Sequence, residues 1–165
     1  LGDIDANIAN RAYGVRDVDV TGTYPATSFT IGSMADVGGG SCPLGTDDGW
    51  YFDLDSNEKV TAKATVNNGI VLFPRYTPDS SDICSAGTAK ISEHSYEWGT
   101  LERETDVGNG VPTEAVIYKN KIYRGISTDQ SPGGAGYTVT GNLIVLDEAE
   151  PETGKVKIES WWEEF

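Results

Sequence analysis

The sequence predicts an all-β protein built from antiparallel meanders, and three features lead to this fold class. Stretches of alternating apolar and polar residues, such as Trp50 to Leu54, have the two-residue period of a strand with one buried face. Asn-Gly between such stretches is typical of a tight hairpin turn. The 165 residues also include 20 Gly and 7 Pro, which favours many turns. We expect one folded domain at this length.

The amino-terminal part is predicted to contain one strand followed by a long loop. Residues 1–20 include the stretch RAYGVRDVDV, whose alternation predicts a first strand. Residues 21–48 are rich in Gly, Ser, Thr and Pro and have few large apolar side chains. This composition is typical of a loop on the surface.

Residues 49–100 are predicted to form a first unit of strands. The run WYFDL predicts a strand, and the alternation of residues 60–66 predicts the next one. The triplet NNG then predicts a hairpin into a buried strand that contains Val71 to Phe73 and ends at Pro74.

Residues 111–165 are predicted to form a second unit and a C-terminal strand. The run PTEAVIYKNKIYRGIST predicts two strands around a turn at Lys119 to Lys121, and NLIVLD and GKVKIESWWEEF predict further strands. Two such units, roughly fifty residues apart, resemble blades of a β-propeller. The chain would then supply two to three blades joined by long Gly/Ser/Pro-rich loops.

The charge of the chain restricts its partners. A formal net charge of −14 repels nucleic acid and anionic membrane surfaces, so neither is a predicted partner. No apolar run reaches the ~20 residues of a transmembrane helix, so no membrane span is predicted. The chain begins at Leu1 without a signal peptide, which suggests a processed product or a piece of a longer chain.

Two cysteines lie in loop-like settings, Cys42 in GGGSCPLG and Cys84 in SSDICSAG. In a secreted protein they would pair as a disulfide, and in a reducing compartment they would stay free. Both alternatives remain open from the sequence.

Calcium is the one metal that the sequence suggests. The stretch DVDVTG offers Asp17, Asp19 and Thr21 as alternating oxygen ligands before a Gly that permits a sharp turn. DIDAN and DLDSNE have similar spacing. Because Asp and Asn also form turns at strand ends, a purely structural role is the alternative for each stretch.

No catalytic residue is predicted. The only histidine, His94, has no second His or Cys at ligand spacing, and no Ser lies in a Gly-x-Ser-x-Gly turn. The tryptophans suit core packing better than sugar stacking. Trp161 and Trp162 are adjacent, so in a strand they face opposite ways and one of them is a candidate interface residue.

Five segments resemble, in order, the C-terminal β-propeller of the PilY-type proteins of type IV pili. They are LGDIDANIANRAYGVRD, DGWYFDLDSNEKVTAKATVNNGIVLFPRYTP, CSAGTAKISEHSYEWGT, GVPTEAVIYKNKIYRGIST and GKVKIESWWEEF. The resemblance implies an extracellular, non-enzymatic structural or adhesive protein. Its implied partners are pilus subunits or a longer propeller-bearing chain, with a further surface ligand at exposed loops.

The residues themselves leave other function classes open. A carbohydrate- or calcium-dependent binding module is the main alternative, because aromatic and acidic side chains serve both kinds of ligand. An enzyme that acts on glycans is supported only by the abundance of carboxylates.

Overall fold

The structure, a computed structural model, describes residues 10–16, 30–82, 84–119, 121–128 and 137–147. In these ranges the chain forms strands and one short 3-10 helix, Ile31–Ser33. The strands are β1 (Arg11–Val15), β2 (Ala35–Asp36), β3 (Gly49–Asp53), β4 (Lys59–Val60), β5 (Thr65–Asn67), β6 (Ile70–Thr77), β7 (Thr88–Ser95), β8 (Leu101–Asn109), β9 (Pro112–Tyr118), β10 (Lys121–Ile126), β11 (Tyr137–Thr140) and β12 (Leu143–Asp147). The predicted all-β class is confirmed. No helix in the described ranges has the length and apolar character that a membrane span requires.

These strands form three sheets. Sheet A has the order β1-β3-β2, and sheet C has the order β11-β12-β10-β9. Sheet B has the order β4-β6-β7-β8, with β5 also paired to β6. All pairs are antiparallel except β2 with β3, which is parallel.

Sheet B is the central layer, because one core lies on each of its faces. The core between sheets B and C is aliphatic and contains Leu72, Ala89, Ile91, Val107, Ile122, Ile126, Ile144 and Leu146. The core between sheets A and B is largely aromatic and contains Ala12, Trp50, Phe52, Leu54, Val71 and Phe73. Leu72 faces one core while its neighbours in β6 face the other, as the two-residue period of a strand requires.

The predicted hairpin is confirmed at the junction of β5 and β6. Asn67 pairs with Ile70, and the two residues between them, Asn68 and Gly69, have φ of 47° and 78°. Positive φ at both central positions defines a type I′ turn, which Asn-Gly adopts readily.

Pro74 does not end its strand, contrary to the prediction. The strand continues to Thr77, and the Pro74 carbonyl accepts a hydrogen bond from Thr61 N at 3.1 Å. The backbone nitrogen of Pro74 lies on the same side of β6 as this carbonyl, opposite the gap between β4 and β5. No strand there requires a hydrogen bond from it, so a proline is tolerated. The prediction of one continuous strand over residues 60–66 is also wrong, because this stretch contains parts of two short strands, β4 and β5, separated by a break.

The structure does not confirm propeller blades. Residues 49–100 are split between two sheets, because β3 pairs with β1 while the following strands pair with each other. In sheet C the hairpin of β11 and β12 joins β10 through β12, so the sheet is not a simple meander. The predicted loop at 21–48 also contains β2 in its described part.

Candidate functional site

The main candidate site is a cleft between sheets A and B, here called the A–B cleft. It has a volume of about 490 Å³, which falls in the range of ligand pockets. Its lining residues are Tyr13, Gly14, Val15, Arg16, Pro43, Gly49, Trp50, Ala64, Val66, Val71, Phe73, Tyr96 and Glu97. Apolar and aromatic side chains predominate, and Arg16 and Glu97 are the charged residues among them.

Two edge strands flank the A–B cleft. Sheet A contributes β1, whose residues Tyr13 and Val15 line the cleft, and sheet B contributes β5 through Val66. Because β1 and β5 each pair with one strand in the described part of the chain, each has a backbone edge that no described strand covers. The cleft is therefore the open side of a packed pair of sheets.

Trp50 forms the wall between the cleft and the aromatic core, and glycines make room for its indole. A Cβ added to Gly14 would lie 2.2 Å from Trp50 Cε2, and one added to Gly99 would lie 2.4 Å from Trp50 Cδ2. The indole Nε1 donates a hydrogen bond to the Tyr96 carbonyl at 3.2 Å. The ring is thus fixed by backbone on both sides, and its polar atom is satisfied.

His94 lies deeper, in a stack of aromatic rings. Its imidazole is stacked on Phe52 with a centroid distance of 4.2 Å and contacts Phe73 edge to face at 5.6 Å. Its Nδ1 is 2.8 Å from the Gly99 carbonyl, which accepts a hydrogen bond when Nδ1 carries the proton. Burial lowers the pKa of His94, an effect only partly offset by this hydrogen bond.

The rim of the cleft carries exposed aromatic side chains and opposite charges. Tyr96 is 62% exposed and Tyr13 is 49% exposed. Arg16 Nη1 donates to the carbonyls of Leu44 and Gly45 at 3.3 and 3.1 Å, which ties the residue after β1 to the loop that contains Pro43 of the cleft lining. Glu97 is exposed at the rim.

An ion-pair network on the same face of sheet B holds the turn after β3. Arg75 binds the buried Glu58 carboxylate through Nη2, and its Nη1 lies 2.7 Å from Glu104 Oε2. Glu58 also accepts a hydrogen bond from Asp55 N at 3.0 Å. Burial alone would raise the pKa of Glu104, but Lys90 and Arg75 lower it. The network is structural, because its carboxylates already have cationic partners.

A second buried arginine lies on β10 of sheet C, on the face that packs against sheet B. Arg124 is 1% exposed, and its Nη1 donates to the Thr113 carbonyl at 3.2 Å. Its Nε and Nη2 have no hydrogen-bond partner in the described part of the chain. Burial lowers the pKa of Arg124 to about 10, and the charge of Glu93 partly offsets this effect. Glu93 itself accepts a hydrogen bond from Arg103 Nε at 2.8 Å.

The predicted calcium and interface residues lie outside the described residues. Asp17, Asp19 and Thr21 are not described, and neither are Trp161 and Trp162, so both sites stay predictions. In the ranges that the structure covers, no group of three or more His, Cys, Asp or Glu side chains is arranged to hold a metal ion.

In the described acidic stretch DLDSNE, Asp53 ends β3 and pairs with Arg11, and the residues after it form a turn. In the same turn Asn57 has a positive φ of 63°. These features match the structural alternative for that stretch.

The two cysteines are both free and exposed in the structure. No bond joins Cys42 to Cys84 in this structure, and the disulfide that the sequence leaves open for an oxidising compartment stays a prediction. Counting of reactive thiols in native material tests it.

Sequence reasoning missed the residues of the cleft rim. Tyr13, Arg16, Tyr96 and Glu97 come from distant parts of the chain, and no local pattern brings them together. The one local signal was the aromatic pair Tyr96 and Trp98, which follows the alternation of SEHS. Two large aromatic side chains in a turn are not needed for the turn itself.

In comparisons with known proteins, no protein-family model, no curated protein and no solved structure matches this chain.

Proposed function

We propose that this chain is a non-enzymatic, extracellular structural or adhesive component of a type IV pilus, and that it holds its partner in the A–B cleft. The resemblance of the sequence to PilY-type proteins supports the pilus context. The observation that carries a binding role is the cleft itself, whose apolar floor is flanked by two edge strands. Binding sites combine such an apolar surface with a few polar groups.

The placement of His94 supports binding over catalysis. Its ring faces are covered by aromatic side chains, and its Nδ1 is engaged by the Gly99 carbonyl. A general base must reach its substrate, and this imidazole is 4% exposed. The aromatic cluster around it thus acts as a packed wall for the cleft.

A carbohydrate-binding module is the second candidate, and one observation favours it. Tyr96 and Trp98 are 62% and 45% exposed on the same turn as Glu97. Aromatic faces beside a carboxylate suit the apolar face and hydroxyl groups of a sugar ring. Loss of glycan binding in Tyr96→Ala and Trp98→Ala, with filament binding retained, would support this candidate.

Co-sedimentation with purified type IV pili tests the leading proposal. Ala64→Trp fills the mouth of the cleft, because Ala64 is exposed and lines it. Glu114→Trp places the same side chain at an exposed position of β9 in sheet C, outside the cleft lining, and is the matched control. We expect the wild-type chain and Glu114→Trp to sediment with pili and Ala64→Trp to remain in solution.

Two results would contradict the proposal. If the wild-type chain does not sediment with pili, the pilus role is wrong. If Ala64→Trp sediments as well as the wild type, the chain binds pili through another surface.

A further inference from the structure

We propose that the partner enters the A–B cleft as an extended strand that hydrogen-bonds to the edge of β1 that no described strand covers. This inference rests on the proposed binding function and specifies the form of the partner. The occupant is an apolar segment with alternating side chains and basic flanks, supplied by another polypeptide.

The hydrogen-bond pattern of β1 shows which backbone groups are available. Leu54 N donates to the Asn10 carbonyl at 2.8 Å, and Arg16 N donates to the Asp48 carbonyl at 2.7 Å. In an antiparallel pair, every second residue directs its backbone N–H and C=O groups toward the same neighbouring strand. Since Asn10 and Arg16 bond in this way, the even-numbered residues of β1 direct their backbone groups toward β3. Tyr13 and Val15 therefore direct their N–H and C=O groups away from β3.

The opposite side of the cleft has the same property. The two-residue turn after β5 makes Asn67 and Ile70 a hydrogen-bonded pair. Val66, one residue earlier, therefore directs its backbone groups away from β6. Tyr13, Val15 and Val66 all line the cleft, so on each of its sides there is a strand edge that no described strand covers. Strand addition requires one such edge.

The floor of the cleft suits the side chains of an added strand. Val71 and Phe73 are two residues apart in β6 and line the cleft together with Trp50. A strand presents every second side chain to one face. Alternate apolar residues of the partner would therefore pack on this floor, while its backbone bonds to β1.

The charges of the chain select the kind of partner. A second copy would also carry a formal net charge of −14, which opposes self-association through this cleft. Arg16 already donates to two backbone carbonyls, whereas Glu97 is an exposed carboxylate of the rim. A partner strand with basic flanks is therefore favoured over an acidic one and over another copy of this chain.

A sugar suits the interior of the cleft less well. The indole of Trp50 lies against Gly14 and Gly99, and its N–H is bonded to the Tyr96 carbonyl. It therefore has no free face on which a sugar ring could stack. Polar side chains that could bind several hydroxyl groups are scarce among the lining residues.

Fluorescence anisotropy with a synthetic peptide tests the inference. The probe is a labelled Lys-Lys-Val-Thr-Val-Thr-Val-Lys-Lys peptide, and a second probe carries N-methyl groups on the three Val amides. N-methylation removes backbone donors and keeps the side chains and charges. A third probe, with Ser in place of Val, keeps the charge alone. We expect the first probe to bind, and the other two to bind at least about tenfold more weakly.

A proline substitution in the protein tests whether the partner strand bonds to the outer edge of β1. Val15→Pro removes an N–H that points away from β3, so it spares the ladder within sheet A. Val139→Pro makes the same change at the outward-facing position of the edge strand β11 and is the matched control. We expect Val15→Pro to lose peptide binding by about tenfold and Val139→Pro to retain it.

Amide hydrogen exchange on the wild-type chain tests the same inference if Val15→Pro fails to fold. The amides of Tyr13 and Val15 should become protected when the first probe binds. Equal binding of the N-methylated or Ser probe, or unchanged exchange at these amides, would overturn the strand inference. If no probe binds but the chain still sediments with pili and Ala64→Trp does not, the strand inference fails and the proposed function stands.

Discussion

The two cores on either side of sheet B differ in chemistry and in closure. The core toward sheet C is built from aliphatic side chains such as Ile91 and Ile144, both 0% exposed. The core toward sheet A is built from a few rings, Trp50, Phe52 and Phe73, with His94 stacked among them. Branched aliphatic side chains interdigitate closely, whereas a few flat rings on a short three-stranded sheet leave a cleft beside them. The difference links local composition to the position of the candidate site.

The largest expected effect comes from removing the ring that forms the wall of the cleft. Trp50→Ala should lower the free energy of unfolding by about 3–5 kcal/mol, because it deletes a buried indole held between two glycines. Trp98→Ala is the control, since Trp98 is 45% exposed, and it should cost less than about 1 kcal/mol. Urea denaturation measures both. If the two variants lose equal free energy of unfolding, the packing of Trp50 in the aromatic core does not stabilise the contact between sheets A and B.

The two buried arginines give the next comparison. Arg75→Met leaves the Glu58 carboxylate, which is 1% exposed, without its cation, and should cost about 3 kcal/mol or more. Arg124→Met removes a guanidinium of which two nitrogens have no partner among the described residues. It should therefore change stability little, or raise it by about 1–2 kcal/mol.

Thermal and urea unfolding of the two methionine variants decide between these outcomes. Similar destabilisation by both variants would mean that Arg124 has an acceptor of comparable strength to Glu58. A third variant, Arg124→Gln, keeps a donor without the charge and separates the effect of charge from that of volume.

His94 makes the aromatic core sensitive to pH. Since burial lowers its pKa below the ordinary 6.5, the folded state favours the neutral ring. Its contribution to stability is therefore fully present above about pH 6.5 and is progressively lost as pH falls from there toward the folded-state pKa. We expect the unfolding midpoint of the wild type to fall between pH 7 and pH 5 by more than that of His94→Phe.

The His94→Phe variant isolates one group, because the carboxylates titrate in both proteins. Phe preserves the stacking on Phe52 but cannot charge. Identical pH profiles for the two proteins would mean that His94 does not contribute to the acid sensitivity of the fold.

Much of the fold could be predicted from the sequence because strands and tight turns leave local patterns. The alternation at Trp50 and Phe52 and the Asn68-Gly69 turn were both predicted correctly. Pairing between distant strands has no such pattern. Nothing near β3 indicates that it joins β1 rather than β4, and nothing near β12 indicates that it lies beside β10.

The candidate site was harder to predict than the fold, for the same reason. Gly14 and Gly99 both contact the indole of Trp50, but they are far apart in the sequence, and no local pattern at either glycine indicates this contact. Strand β6, which continues past Pro74, was also not predictable in full from the sequence. A proline is compatible with a strand where the neighbouring strand is interrupted, and that interruption is visible only in three dimensions.

The smallest expected effect concerns the hairpin at the β5 side of the cleft. Gly69 has φ of 78°, and no atom lies within 4 Å of an added Cβ. Gly69→Ala should therefore cost about 1 kcal/mol from backbone strain alone. Gly45→Ala also meets open space and lacks a positive φ, so it should be neutral or slightly stabilising. Amide exchange should show the Gly69→Ala loss mainly in β5 and β6, at the open aromatic side. If amide exchange rises equally in β10 and β12, the two cores unfold as one cooperative unit. The cores would then differ in packing geometry but not in local stability.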